Sequence, residues 1–320
     1  MFEPGQVWRD TDGRPIQAHG GGVLCDKGTY YWFGENKDGS NTSPAGKMSL
    51  DRVDVIGVAC YSSTDLLHWK NEGIALAAVP DDPLHDLHPS KVAERPKVIY
   101  NAKTKQYVLW LHVDSHDYTY ARTGRAVSDT PTGPYRYVGS IAPAGVDSRD
   151  MTLFQDTDGS AYVVFSSDWN QVTRIARLTD DYLETTGQSV TVFDGGSRHS
   201  GRESPAIFQH QGRYFFFGSG CTGWSPNEAE YAIAPTPLGP WEVQGNPCVG
   251  PGSETTFQSQ NTFILPVADK PGAFIFMADR WNQNNLRDSR YVWLPLQVDG
   301  DRLTVRWRNQ WDITVFDGDE

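Results

Sequence analysis

A chain of 320 residues can bury one large core, and its 31 Gly and 20 Pro, spread along the whole length, suit many short strands joined by turns. A net charge of −12 argues against nucleic acid or an anionic membrane as partner, and no apolar run approaches the length of a membrane-spanning helix. A neutral ligand is compatible with that surface: the 11 Trp residues offer faces on which a sugar ring can stack, although most of them are expected in the core.

The N-terminus, Met1-Phe-Glu-Pro-Gly5, has no basic region followed by an apolar stretch. The protein is therefore expected to be cytoplasmic, or secreted with its signal peptide missing from this sequence. Cys25, Cys60, Cys221 and Cys248 show no CxxC or Cys/His metal spacing. Cys221 and Cys248 could pair, but buried free thiols are the expectation.

Five segments, each a turn followed by an aromatic or β-branched strand, recur along the chain. They are Gly28 to Glu35, Lys105 to His112, Gly159 to Ser166, Gly212 to Ser219 and Gly272 to Asp279, starting 77, 54, 53 and 60 residues apart. Each follows another short strand, as in Thr152 to Gly159, where Asp158-Gly159 supplies a hairpin turn. A second echo, Ala126 to Tyr135 against Ala232 to Trp241, has an offset of 106 residues, two units of 53. Four strands per unit, five times over, predict an all-β fold: a five-bladed β-propeller filling residues 1–320 as a single domain. An open array of β-sandwiches fits the even period less well. The first unit is longer because of turn-rich stretches at Asn36 to Asp54 and Ala77 to Ser90, predicted as loops.

In a propeller the innermost strands start at one end of a central channel, so their first residues converge. Those starts read Ile16-Gln-Ala-His-Gly-Gly-Gly22, Ala93-Glu-Arg-Pro-Lys97, Asp147-Ser-Arg-Asp-Met151, Gly201-Arg-Glu-Ser-Pro205 and Thr256-Phe-Gln-Ser-Gln-Asn261. Glu94, Asp150 and Glu203 lie 56 and 53 residues apart, in phase with the repeat. They are expected to ring one mouth of the channel with Gln17 and with Gln258 or Gln260. One carboxylate at a strand start is commonly a solvated turn residue or an arginine partner, and Arg95, Arg149 and Arg202 sit beside these three. Three in phase point instead to acid/base chemistry, because converging acids have split proton affinities. Glycosidic cleavage needs one carboxyl kept protonated for the leaving oxygen, and in an inverting enzyme a second group activates water on the opposite face. Glu203 precedes Ser-Pro and a strongly apolar strand, so desolvation and nearby Asp150 would raise its pKa and suit it to be the acid.

These residues resemble glycoside hydrolase family 43 over nearly the full chain. The resemblance is carried by Gln17-Ala-His-Gly-Gly-Gly22 with Tyr30 to Asn36, by Ser148-Arg-Asp150, and by Arg202-Glu-Ser-Pro205 with Gly218 to Trp224. It implies a five-bladed propeller with Glu203 as acid and Asp150 as the residue that tunes and orients it. At the position of the family's basic Asp this chain has Gln17, whose amide does not take up a proton in the ordinary way. That departure resembles the exo-β-1,3-galactanases, in which a Gln from a later blade orients the attacking water, in one account as an imidic acid, beside a Glu from blade two. The matching residues here are Glu94 and Gln260, with Gln258 as the second glutamine. The resemblance also makes Tyr118, Asn170, Thr222 and Trp224 candidates for a terminal-galactose pocket, Trp224 as its stacking face. His19 has two readings, a polar group near a ligand, water or ion, or a ring packed on backbone among three glycines. Neither a metal nor a cofactor is expected.

The leading expectation is an inverting exo-acting hydrolase releasing galactose from β-1,3-galactan, the main chain of arabinogalactan, and acting as a monomer. An α-L-arabinofuranosidase or β-galactofuranosidase is the alternative enzyme. A non-catalytic sugar-binding propeller is the alternative outside enzymes, kept open by the missing blade-one Asp.

Overall fold

The computed structural model describes residues 1–40, 53–194 and 201–317, and over these the chain folds into five antiparallel blades. Blade one comprises β1 (His19–Asp26), β2 (Thr29–Glu35), β3 (Gly57–Ser63) and β4 (Lys70–Ala77). Blade two holds β5 (Val92–Asn101), β6 (Gln106–Asp114), β7 (Arg122–Ser128) and β8 (Arg136–Ile141). In blade three come β9 (Met151–Gln155), β10 (Ala161–Ser167), β11 (Val172–Leu178) and β12 (Thr185–Asp194). Blade four has β13 (Glu203–His210), β14 (Arg213–Ser219), β15 (Ala229–Ala234) and β16 (Glu242–Gly245). Blade five has β17 (Cys248–Val249), β18 (Gln260–Pro266), β19 (Phe274–Arg280), β20 (Arg290–Asp299) and β21 (Arg302–Arg306). The expected four strands per unit hold in four blades. The fifth gains β17, which pairs parallel with β21 on its outer edge.

The five repeated segments are the second strands of the blades. Each lies between two neighbours within its own sheet, and each blade faces blades on both sides. Such a strand is buried on both faces and reads as an apolar run rather than an alternation. In β14, Phe215, Phe216 and Phe217 are all buried, two of them toward blade five and one toward blade three. Hairpins such as Gln211-Gly212 place both turn residues at positive φ (48° and 77°), matching the strand twist. The echoed segments, Ala126 to Tyr135 and Ala232 to Trp241, run from the third strand of a blade into the turn before its fourth.

The ring closes where Phe2 pairs with Trp311 through two backbone hydrogen bonds of 2.7 and 3.1 Å, their rings stacked at 4.1 Å. Trp8, Trp32, Trp69 and Trp293 pack around that junction between blades one and five, which places these tryptophans in the core. Of the two loops expected in the first unit, 78–91 is a run of turns, while 41–52 lies outside the described residues. Cys60 and Cys248 are buried free thiols as expected, whereas Cys25 is exposed and Cys221 half-buried.

The inner strands β1, β5, β9, β13 and β18 adjoin one another around the axis. Four of them break register just after their first residues, at His19/Gly22, Glu94/Lys97, Glu203/Ala206 and Asn261/Phe263. In three of these bulges the second residue is left-handed: Gly20 (60°), Arg95 (55°) and Ser204 (54°). A bulge bends the strand and re-aims its side chains, and here it does so at one end of the channel.

Candidate active site

Around that end lies a cleft of about 300 Å³ lined from all five blades. Glu94, Asp150, Glu203 and Gln260 meet in it, and Tyr118, Asn170 and Trp224 also line it. The phase of the repeat therefore placed the three acids together. Gln17 is not in the lining: it is buried, its backbone N–H donates to Tyr61 Oη (3.1 Å) and its amide donates to the Arg287 carbonyl (3.0 Å). Thr222 likewise falls outside, tied into its own turn by Asn227 Nδ2 at 2.6 Å. Gln258 is exposed and lines a smaller adjoining cleft with Ser219, Asn227 and Ser259. Gln17 and Gln258, expected in the ring, and Thr222, expected in the terminal pocket, thus lie outside the cleft lining: Gln17 precedes β1, Gln258 sits in the turn before β18 and Thr222 in the turn after β14. His19 is buried and does not line the cleft; its ring stacks on the Tyr291 side chain at 4.8 Å, rather than on backbone as expected, with Nδ1 3.0 Å from Asp279 Oδ1.

The blade-one share of the mouth comes from the end of β2. Glu35 and Lys37 line the cleft as a buried ion pair of 2.6 Å. The glycines of Gln17-Ala-His-Gly-Gly-Gly22 make room for this arrangement. A Cβ on Gly20 would lie 2.1 Å from Glu35 Oε1, and one on Gly21 1.7 Å from the Phe33 carbonyl oxygen. A readable signal existed for Glu35: each repeated segment ends in a polar residue opposite a strand start, as Glu35 opposes His19 and His112 opposes Glu94.

Arg95 organises the floor. Its backbone N–H donates to Glu35 Oε1 (2.9 Å), and its guanidinium binds Asp150 (2.8 Å), Ser204 Oγ (2.9 Å) and Gln260 Oε1 (2.7 Å). A buried guanidinium is tolerated only with such pairing, and its carboxylate neighbours hold it firmly charged. Asp150 also accepts the Ser204 backbone N–H at 2.9 Å, a bond that the left-handed Ser204 makes possible.

Glu203 and Glu94 are driven in opposite directions. Burial, then the Asp150 charge, push Glu203 up to about 7, outweighing Arg95 and the Asn170 amide that donates to Oε1 at 2.7 Å. Burial would raise Glu94 too, but contact with His112, the Lys37 charge and the Tyr118 hydroxyl (2.8 Å) hold it at about 2. His112 sits between Glu94 Oε2 (3.3 Å, at an angle that leaves Nδ1 without a formed hydrogen bond) and Asp114 (3.0 Å). Burial opposes its charge, yet the two carboxylates raise it to about 9. At neutral pH the cleft thus holds a protonatable Glu203 and an ionised Glu94.

Gln260 lies between the two halves of the floor. Its carbonyl oxygen accepts from Arg95 and from Trp281 Nε1 (3.2 Å), and its nitrogen faces Ser219 Oγ (3.0 Å) and Glu203 Oε2 (3.5 Å). Trp224 and Trp281, 5.9 Å apart and half-buried, wall the cleft on the side of blades four and five. Among the described residues, Glu94, His112 and Asp150 bring ligand-type atoms within 4.8 Å of one another. A cation there would compete with Arg95 for Asp150 and would require His112 to release its proton.

The family model for glycosyl hydrolases family 43 matches residues 21–274. Among solved structures, a GH43 β-1,3-galactosidase is 40% identical (TM-score 0.89) over 99% of this chain, which spans 64% of that one. A second GH43 β-1,3-galactosidase, solved with galactodeoxynojirimycin, is 42% identical (TM-score 0.87) over 98% of this chain and 100% of its own. An exo-β-1,3-galactanase from Phanerochaete chrysosporium, solved with galactose, is 36% identical (TM-score 0.85) over 98% of this chain and 68% of its own. No curated protein sequence matches the chain. With that family match and those identities over nearly its whole length, this chain belongs to glycosyl hydrolases family 43 and is a glycoside hydrolase.

Proposed function

We propose that the protein is an exo-acting, inverting hydrolase that releases terminal galactose from β-1,3-galactan. The observation that carries this reading is the division of the carboxylates: Glu203 is raised to about 7 beside Asp150, while Glu94 is held at about 2. A carboxyl that keeps its proton near neutrality is what departure of a sugar oxygen requires. The similar β-1,3-galactosidases and exo-β-1,3-galactanase support the choice of sugar and linkage.

In this mechanism Glu203 gives its proton to the glycosidic oxygen as the bond from that oxygen to the anomeric carbon breaks. Water attacks the same carbon from the opposite face, which inverts it. Among the described residues the blade-one carboxylate in the cleft, Glu35, is tied to Lys37 and to the Arg95 backbone N–H, so Gln260 and the ionised Glu94 position the water, and its proton passes to the Glu94 carboxylate. Asp150 keeps Glu203 protonated through its charge, and Arg95 holds Asp150 and Gln260 in fixed relation. Asn170 contributes a buried Oδ1 without a partner, which a sugar hydroxyl would satisfy. Tyr118 and Trp224 complete the terminal pocket.

Incubation with β-1,3-galactan, β-1,3-galactobiose and an aryl α-L-arabinofuranoside tests the reading. Galactose is expected, first as the α-anomer by NMR. Arabinose without galactose would overturn it.

A further inference from the structure

The connection between β10 and β11 holds an unusual backbone at the cleft. Asp168, Trp169 and Asn170 are consecutive and all left-handed, with φ of 51°, 56° and 63°. Each such non-glycine residue costs about 1 kcal/mol or more, so the surroundings must hold the turn in place. Asp147 does so by accepting the Asp168 N–H at 2.8 Å, and Arg174 binds the Asp168 carboxylate at 3.2 Å. Gly201 packs against the same turn so closely that a Cβ there would lie 1.4 Å from the Asn170 carbonyl oxygen.

The result is that two successive side chains line one cleft. Asn170 reaches inward to Glu203, and Trp169 stands at the rim, 46% exposed. Its indole is not left to wander, because the buried Arg149 guanidinium lies 4.2 Å from the ring centroid. Arg149 is itself fixed by Asp147 and by the Tyr118 carbonyl (3.2 Å).

Glu203 must touch the oxygen that joins the terminal sugar to the rest of the chain. Trp224 and Trp281 enclose the cleft from blades four and five, whereas Trp169 stands at the rim on blade three, next in sequence to the Asn170 that donates to the acid. We propose that Trp169 is the stacking platform for the sugar on the leaving-group side, a neutral pyranose of the same polysaccharide. The inference rests on the hydrolase reading above. A rigid, pre-placed indole binds the C–H face of a ring while losing little side-chain freedom.

The test compares an oligosaccharide with a ligand that fills only the terminal pocket. Trp169→Ala should raise KM for β-1,3-galactotriose about tenfold, the loss of one aromatic face, with kcat nearly unchanged. The inhibition constant of galactodeoxynojirimycin should not move, and Trp169→Phe should recover most of the affinity. An unchanged KM, or a KM and inhibition constant that rise together, would overturn the proposal; the second outcome would mean that Trp169 acts only through Asn170 and the acid. If the unaltered protein released no galactose, the functional reading itself would fail, and this proposal with it.

Discussion

The two ends of the channel are built from the same five inner strands and hold cavities of similar size, about 300 Å³ and 330 Å³. Their linings differ completely. The end at the strand starts carries Glu35, Glu94, Arg95, Asp150 and Glu203, whereas the far end is walled mainly by apolar side chains such as Val23, Ile99, Leu153, Ile207, Phe263 and Leu265, with Lys97 and Asp156 as its charged members. Between them the Lys97 ammonium, buried and donating to the Gly20 carbonyl at 2.8 Å, is pushed down to about 7 by burial and by Arg95. Cavity size therefore says little about where chemistry resides. The bulged strand starts decide it, because they turn charged side chains inward while strong pairing offsets their desolvation.

The largest test of this contrast is Glu203→Gln, expected to lower kcat by about 10³-fold or more, with galactose or galactotriose binding retained by calorimetry. The same variant tests the electrostatics. A carboxyl raised from 4.5 to about 7 favours the folded state at low pH, and that advantage is lost as pH rises through 7. Glu203→Gln should therefore be more stable than the parent at pH 8, by up to about 3 kcal/mol, and show little difference at pH 4. Thermal melts at the two values check this.

Gln260→Ala and Glu94→Gln should each lower kcat by roughly 10²-fold if they position the water. A mild effect of the first would move that role elsewhere. Asp150→Asn removes the charge that raises Glu203, so the fall in kcat/KM at alkaline pH should begin at lower pH, beside a large loss of rate. A profile that keeps its alkaline limb would separate Asp150 from the acid's pKa.

At the far end, Leu153→Ala should cost about 2–5 kcal/mol of stability and leave KM and the pH profile alone. A shifted pH profile would show that the two ends are coupled. Among the polar residues at the strand starts the smallest effect is expected for Gln17→Ala, under about tenfold in kcat, since the Gln17 amide nitrogen is bonded to the Arg287 carbonyl outside the cleft.

Much was legible in the sequence because a propeller is periodic. A repeat in the second strands fixed the blade count, and phase with it brought Glu94, Asp150 and Glu203 to one mouth. The desolvation expected for Glu203 is present and is the main cause of its raised pKa, with the Asp150 charge second. The same logic failed for Gln17 and Gln258 because phase gives a position along the axis, not the direction of a side chain. That direction is set by bulges at Gly20, Arg95 and Ser204, and two of those residues carry no glycine signal.

What the sequence by itself determined is the fold and, among the described residues, three of the four carboxylates that line the cleft, since local strand patterning and a constant spacing suffice for both. The tertiary structure decided how those acids differ. Glu94 and Glu203 occupy equivalent strand starts, but one meets His112, Lys37 and Tyr118 while the other is buried beside Asp150. Proton affinity depends on neighbours brought from other blades across a few ångströms, and no spacing along the chain encodes that.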